Sequence, residues 1–316
     1  TLDLFAGAGG LSLGFTETGK FQILAAVENN PYAQQTYIKN HGAVRIIPDV
    51  VSCDFAALKA ELGGIDIVIG CQGFSNANRQ KSAIVSTNNS LVKEYFRAIR
   101  EIRPLAFVME NVNTFPSDIH RFYDTADDHS EVDRLGIELR DDVVFLSKKE
   151  IKGVDLLPLV QDKHQLEVAM LPAKLYTSLY VLYKNRGTKK RLEKYIANND
   201  VAIINQIEAY ISSMPQNTYT QLSAELMRCI QNGLARSQEI SAYIEHLSIL
   251  IDYQKALQTA HEIYRNNIIC TFDNKENTRH TVANVHSYSV IDYINAILRD
   301  EYKQKGATIN ARWFGI

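Results

Sequence analysis

The sequence lacks the spacings that mark common metal and redox sites. Its four cysteines are scattered singly and form no CxxC pair, which argues against a zinc or thiol–disulfide motif. Single cysteines of this kind are typical of a reducing cytosol, so we expect a cytoplasmic protein. The eight histidines show no HExxH or similar spacing. We therefore expect no metal site.

A strong net charge and long apolar runs are also missing. The formal net charge is −2, so nucleic acid could be bound only through a local basic patch. No apolar run approaches the roughly 20 residues that span a bilayer. The chain opens within a predicted strand rather than a signal peptide, and we expect no membrane association. With 46% hydrophobic residues among 316, the chain can bury a sizeable core in one or two domains.

Short apolar runs alternate with helical patterns over the first ~110 residues, which is typical of a parallel α/β sheet. The predicted strands are Thr1–Phe5, Ile23–Val27, Val44–Ile47, Ile65–Ile69 and Leu105–Met109. The predicted helices between them are Pro31–Asn40, Phe55–Leu62 and Leu91–Ile102. This order predicts a doubly wound, mostly parallel sheet.

A polar or reactive residue directly follows each of the last four runs. These residues are Glu28, Asp49, Cys71 (after Gly70) and Glu110. Ligands of open parallel sheets bind outside the carboxyl ends of the strands, so all four are expected to line one crevice. The alternative is that they only terminate strands as turn formers.

Glycine becomes sparse and helical patterns take over from about Asn113 to Arg279. Leu222, Leu226, Cys229, Ile230 and Leu234 fall at helical spacing, as do Tyr176, Tyr180 and Tyr183, which we interpret as core or subunit-interface packing. Further on, Val290–Glu301 is predicted to be an amphipathic helix and Ala307–Asn310 a strand. The expected division is a sheet domain at 1–113, a large and mostly helical insertion at 114–285, and a return to the sheet domain at 286–316.

The segment Asp3–Gly10 joins the first strand to a helix through a glycine-rich turn. Glycines let the backbone approach a ligand closely, and a helix start offers free N–H donors. Glu28 follows about 20 residues later, where a carboxylate can bind ribose hydroxyls. Together these features predict a nucleoside-containing cofactor, and the spacing alone does not separate NAD from S-adenosylmethionine.

Three motifs resemble the cytosine C5-methyltransferase family. They are DLFAGAGGLSLGF at 3–15, CQGFS at 71–75 and Glu110-Asn111-Val112, in family order. The resemblance covers residues 1–113 well and 286–316 loosely. It implies the S-adenosylmethionine (SAM) methyltransferase fold, SAM as cofactor, and methylation of cytosine in double-stranded DNA by an enzyme of the bacterial restriction–modification type. The oligomeric state stays open.

The resemblance also implies site residues. Those expected at the cofactor are Phe5, Ala6, Gly7, Ala8, Gly9, Glu28, Asn29, Asp49, Val50, Gly70 and Leu91, with Glu28 at the ribose and Asp49-Val50 at the adenine amino group. Those expected to be catalytic are Cys71 as nucleophile, Glu110 holding the cytosine, and Asn111 supporting it. Those expected at DNA, around a flipped-out base, are Gln72, Ser75, Arg79 and Lys81.

Two departures qualify the resemblance. The family has Gly-Pro-Pro before the cysteine, whereas Gly70 here leads directly to Cys71, so the thiol is expected to be displaced. The chain also stops before a family motif Pro-Gln-x-Arg-x-Arg, and we expect it to be an incomplete part of the natural protein. The alternatives are a tRNA cytosine C5-methyltransferase and a catalytically inactive SAM-binding module.

One basic stretch stands out in the helical block. Its cations are Lys184, Arg186, Lys189, Lys190, Arg191 and Lys194. We interpret this stretch as a solvated helix face, with a DNA backbone contact as the alternative.

Overall fold

A computed structural model describes most of the chain. The residues described are 1–71, 87–110, 121–148, 150–151, 155–213, 221, 224, 237–276, 278–303 and 305–307. They form two sheets and a helical layer.

The first sheet has five parallel strands in the order β3-β2-β1-β4-β5. The strands are β1 Leu2–Leu4, β2 Ala25–Val27, β3 Arg45–Ile47, β4 Ile67–Cys71 and β5 Ala106–Glu110. Helices connect them: α1 Gly10–Thr16, α2 Pro31–His41, α3 Phe55–Glu61 and α4 Thr87–Ile102. The predicted strands, helices and parallel α/β fold are thereby confirmed.

Alternation along the strands divides the side chains between two apolar layers. Ala25 and Val27 of β2 pack in one cluster with the buried residues of α3 and α4, whereas Ala26 between them packs with Tyr37 of α2. Helices therefore cover both faces of the sheet, which is the doubly wound arrangement.

Local signals fix where the helices begin. Asn30 caps α2 by accepting hydrogen bonds from Tyr32 N and Ala33 N at 2.9 and 3.3 Å, and Pro31 occupies the first turn. Asp54 caps α3 in the same way, through Ala57 N at 2.8 Å. Asn30 lies three residues after the end of β2 and Asp54 seven residues after the end of β3, so the loops at this edge are short and are fixed at the helix starts.

The second sheet is antiparallel, and its strands were not predicted within the stretch expected to be mostly helical. Its strands are β6 Arg121–Tyr123, β7 Arg140–Phe145, β8 Cys270–Asn274 and β9 Thr281–Ser289, and β9 pairs with each of the other three. Three of these strands lie within the stretch predicted to be helical. They were missed because β7 begins with Arg140-Asp141-Asp142 and alternates exposed with half-buried residues, so it contains no apolar run.

Helix α5, His129–Leu135, precedes β7. Helices then fill most of the stretch between β7 and β8, namely α6 Leu157–Val160, α7 Lys163–Ala169, α8 Ala173–Asn185, α9 Lys189–Ser213 and α10 Ser237–Arg265. Their buried side chains form a core of their own, which includes Ala283 and Val285 of β9. Leu222 to Leu234 lie outside the described residues apart from 224, so their predicted helix is not tested.

The chain then returns to the parallel sheet. Helix α11, Val290–Leu298, is capped by Ser289 and followed by a 3₁₀ turn at Arg299–Glu301, as the amphipathic pattern predicted. Its residues Tyr293, Ile294 and Leu298 are buried in the cluster that also holds α3 and α4. Of the strand predicted at Ala307–Asn310, Ala307 is not in a strand and the rest lies outside the described residues.

Candidate functional site

The carboxyl ends of the parallel strands bring four predicted residues to one edge of the sheet. Leu4 pairs in register with Val27 and with Gly70, and Val27 pairs with Ile47, so Glu28 and Asp49 follow neighbouring strand ends. The strand order reverses between β1 and β4, which is where open α/β sheets bind ligands. The glycine loop leaves the sheet at this point.

Cys71 and Glu110 face each other across the last step of the β4–β5 ladder. Adjacent strands lie about 4.8 Å apart, so the two backbones are close neighbours. Cys71 is the final residue of β4 rather than part of the loop after it, and Glu110 is exposed and is not without partners. Asn111, Gln72, Ser75, Arg79 and Lys81 lie outside the described residues.

The loop after β1 is tightly wound. Phe5 has φ 57°, a strained value for a bulky residue, and Gly9 has φ 89°. A side chain at Gly9 would also collide with His41, whose Nε2 donates to the Gly9 carbonyl at 2.9 Å. Asn40 holds the Ala8 carbonyl at 2.8 Å. Helix α2 thus fixes the backbone conformation of this loop through Asn40 and His41.

Glu28 connects this loop to the start of α2. Its Oε2 accepts a hydrogen bond from Gly7 N at 2.9 Å, and its Oε1 accepts one from Asn30 N at 2.8 Å. The side chain is half-buried, and the neighbouring Asn29 is exposed. One carboxylate therefore fixes two backbone segments at the position expected for the ribose.

A buried polar network under the loop was not anticipated from the sequence. Asp3 is 1% exposed and accepts a hydrogen bond from Ser12, whose hydroxyl also lies 2.6 Å from that of Tyr37. Burial raises the pKa of Asp3 to about 6 and that of Tyr37 to about 12. The one available signal was a charged residue inside an apolar strand. The network joins β1, α1 and α2.

The predicted adenine loop follows β3. The carboxylate of Asp49 is exposed and accepts hydrogen bonds from Val51 N at 3.0 Å and Ser52 N at 3.2 Å. Bonds from Ser52 and Val51 hold the pKa of Asp49 below its usual range. Val50 is buried, and Arg97 of α4 contacts the carbonyl groups of this loop. Sequence patterns gave no indication of Arg97.

Gly70 and Leu91 complete the predicted cofactor residues. Gly70 is buried where β4 passes close to β1 and α4. The position requires glycine, because a Cβ atom there would lie 2.8 Å from the ring of Tyr95 and 3.0 Å from the Leu4 carbonyl oxygen. Leu91 of α4 is half-buried and packs against the cluster under the sheet. Leu91 thus contributes to the apolar packing between α4 and the sheet.

The tyrosines of α8 stack along one helix face. These are Tyr176, Tyr180 and Tyr183, and all three are partly buried against the helical core. This agrees with the interpretation of their helical spacing as core packing. Lys184 lies over the ring of Tyr180, and Arg186 lies over that of Tyr183. Within the parts of the chain that the structure describes, no helix is both long and apolar enough to cross a bilayer, and no three metal-binding side chains cluster.

Comparison with known proteins finds similarities mainly in the amino-terminal part of the chain. Residues 1–127 match the family described as C-5 cytosine-specific DNA methylase. The chain is 40% identical over 116 residues to the Type II methyltransferase M.DdeI of Desulfomicrobium norvegicum, covering 35% of this chain and 27% of that protein. It is 40% identical over 129 residues to M.XorII of Xanthomonas oryzae, covering 38% and 30%.

A longer match reaches into the helical region. It is to the Type II methyltransferase M.PspPI of a Psychrobacter species, at 27% identity over 240 residues, covering 73% of this chain and 53% of that protein. The chain therefore spans about a quarter to a half of the length of these curated relatives. Among solved structures, a putative DNA modification methyltransferase from an E. coli prophage is 26% identical, covering 48% of this chain and 42% of that one with a TM-score of 0.33.

The parallel sheet, the glycine loop and the sequence match coincide in the same residues. Residues 1–127 of the chain are similar in sequence to the family described as C-5 cytosine-specific DNA methylase.

Proposed function

We propose that this chain is the SAM-binding, catalytic part of a DNA cytosine C5-methyltransferase acting on double-stranded DNA. The observation that carries the proposal is the sheet edge where Cys71 stands opposite Glu110, beside the loop held by Glu28. The family of residues 1–127 supports the reaction class. The names of the Type II relatives support a bacterial restriction–modification context.

The described residues fit a nucleoside. Each oxygen of Glu28 accepts one backbone N–H, and a carboxylate oxygen has a second lone pair that a ribose hydroxyl can use. Asp49 offers an exposed acceptor to an exocyclic amino group. SAM supplies an electrophilic methyl group when bound. We assign the loop Phe5–Gly9, with Gly70 and Leu91, to the rest of that site.

Cys71 and Glu110 divide the work on the flipped-out base. The Cys71 thiolate forms a bond to carbon 6 of cytosine, and the electron pair of the carbon 5–carbon 6 double bond moves toward carbon 5. The ring becomes an enamine whose carbon 5 is nucleophilic. Glu110 hydrogen-bonds N3 and N4 as the negative charge develops, with Asn111 in support. Carbon 5 would then attack the methyl group of a bound SAM, and the S–CH₃ bond would break with its electron pair remaining on sulfur as a neutral thioether. Loss of the carbon 5 proton to a base restores the double bond and expels the thiolate.

Other cysteines are poor candidates for the nucleophile. Burial raises the pKa of the thiols of Cys53 and Cys270, so less of each is present as the reactive thiolate. Cys53 lies in the loop after β3, and Cys270 is on β8. Neither stands at the ends of β4 and β5. Among the three cysteines in the part of the chain that the structure describes, Cys71 alone combines the family motif with a place beside Glu110.

Trapping the base tests the proposal. Fluorine at carbon 5 of cytosine cannot leave as a proton does, so a working thiolate stays attached to the DNA. We expect intact-mass analysis with SAM and a 5-fluorocytosine duplex to show an adduct that maps to the peptide containing Cys71. Cys71→Ser should form none, and the control Cys270→Ser should form it normally.

Two results would overturn the proposal in different ways. SAM binding without any adduct would identify an inactive SAM-binding module, for which the missing Gly-Pro-Pro is the motivation. Adducts with 5-fluorocytosine-containing tRNA but not with the duplex would identify a tRNA methyltransferase.

A further inference from the structure

The guanidinium of Arg97 on α4 donates three hydrogen bonds to the loop that follows β3. Its Nη2 donates to the carbonyl oxygens of Val50 at 2.7 Å and Val51 at 3.3 Å, and its Nη1 donates to that of Cys53 at 3.0 Å. These residues lie 44 to 47 positions away in the chain. One side chain therefore fixes three carbonyl groups of the loop that follows β3.

The guanidinium is itself held from the other side. Its Nε donates to Glu94 at 2.8 Å and its Nη1 to Glu101 at 3.1 Å, one turn before and after it on α4. The group also lies 4.7 Å from the centre of the Phe55 ring at the start of α3. With the side chain 23% exposed, the arrangement is mostly shielded from water and has little freedom to move.

The same loop orients the carboxylate expected at adenine. Asp49 accepts hydrogen bonds from the N–H groups of Val51 and Ser52, while Arg97 binds the carbonyl of Val51. The peptide units around Val51 are thus bound through both their donors and their acceptors. Moving these carbonyl groups would turn the N–H groups that aim the Asp49 carboxylate.

We propose that Arg97 is a positioning residue for purine recognition: by fixing residues 50–53 it aims Asp49 at the exocyclic amino group of the bound nucleoside. The inference rests on the proposed function, because it takes the Asp49 loop as the adenine site. Arg97 itself does not touch the ligand. Lysine has three donors on one nitrogen instead of five on a planar fork, so it cannot keep all the bonds to three carbonyl groups and two carboxylates, and Arg97→Lys should replace Arg97 only in part.

Calorimetric titration with two ligands separates positioning from general stability. S-adenosylhomocysteine carries the amino group, and S-inosylhomocysteine carries an oxo group in its place. We expect the wild type to prefer the first by roughly ten- to hundredfold, the usual range for a hydrogen bond to a charged group. Arg97→Gln should lose most of that preference while binding the inosyl compound almost unchanged, and Arg97→Lys should be intermediate.

Two further variants sharpen the test. Asp49→Asn should lose the same preference, and adding Arg97→Gln to it should cost little more, because both act on one interaction. Arg100→Gln is the matched control, since Arg100 lies on the same helix and pairs with Glu131 instead. It should keep the wild-type preference.

The outcomes distinguish this inference from the proposed function. A wild type that binds neither ligand would contradict the proposed function and the inference with it. A wild type that binds both equally, or an Arg97→Gln or Arg97→Lys variant that keeps the full preference, would overturn the inference alone. If Arg97→Gln does not fold, Arg97→Lys decides the question.

Discussion

At the scale of single residues, the buried Asp3 makes stability depend on pH. An unfolded aspartate loses its proton near pH 3.8, whereas burial raises the pKa of Asp3 in the fold to about 6. Between these values the folded chain keeps a proton that the unfolded chain releases. Stability therefore falls as pH rises through this window and stays lower above it.

Replacing Asp3 by asparagine should remove this dependence. Asparagine can still accept the hydrogen bond from Ser12, and it has no proton to lose. Relative to the wild type, Asp3→Asn should gain stability by about 3 kcal/mol between pH 3.8 and pH 6, at about 1.4 kcal/mol per pH unit. Urea unfolding at a series of pH values measures this difference, and parallel profiles for the two proteins would contradict it.

Gly9 and Gly14 provide a matched pair of glycines in and beside α1. Gly9 has φ 89° and is packed against His41, whereas nothing lies within 4 Å of the position that a Gly14 side chain would take. Gly9→Ala should therefore cost about 1–3 kcal/mol through backbone strain. Gly14→Ala, inside the helix, should instead stabilise by about 0.5–1 kcal/mol. Thermal unfolding compares them, and equal effects would mean that the loop conformation tolerates side chains.

At the scale of elements, α4 connects the two sheets. Lys93 forms an ion pair with Asp128 at the start of α5 and lies 4.8, 5.3 and 5.7 Å from the ring centres of Phe122, Tyr288 and Tyr293. Burial opposes ionisation of Asp128, but Lys93 and Thr125 hold its pKa below the usual range. One cation thus ties α4 to β6, β9 and α11.

Breaking this pair from one side should be costly. Lys93→Met should destabilise by about 3 kcal/mol, because it leaves the mostly buried Asp128 charge without its partner. The double variant Lys93→Met/Asp128→Asn should lose less than the single one. Arg100→Gln on the same helix breaks a more exposed pair and should cost under about 1 kcal/mol. Urea unfolding free energies for the wild type, Lys93→Met, Asp128→Asn and the double variant form the cycle, and an additive result would argue against coupling.

How far the sequence predicts the elements depends on the range of the contacts. The five parallel strands and the polar residues after them follow from local runs and motifs. Sequence patterns do not indicate the roles of Arg97, Asp3 and Lys93, because each forms a hydrogen bond with a partner 9 to 47 residues away that no local pattern connects to it. Most of the antiparallel sheet lacks a local signal too, since β6, β7 and β8 have only three to six residues each and are partly exposed.

At the scale of the whole molecule, the chain has separate apolar cores. Among the side chains that the structure describes, the clusters on the two faces of the parallel sheet contain no residue of α6–α10, and the helical core contains none of β1–β5. Strand β9 contributes to both sides, through Val285 to the helical core and Tyr288 to the sheet core. The two parts can therefore respond differently to a ligand.

Hydrogen exchange should show this difference. If S-adenosylhomocysteine binds at the carboxyl edge, it should slow exchange in residues 1–71 and leave α8 and α10 almost unchanged. Mass spectrometry of peptides with and without the ligand measures both regions in one experiment. Uniform protection across the chain would indicate instead that the cores open together.

Glu28 has a further consequence for redesign of the pocket. Because its two oxygens already bind Gly7 N and Asn30 N, the residue proposed for the sugar also maintains the shape of the first loop and the start of α2. A pocket for a different sugar cannot be obtained by exchanging Glu28 alone. The replacement must also supply acceptors for two backbone N–H groups, so selectivity and loop architecture have to be changed together.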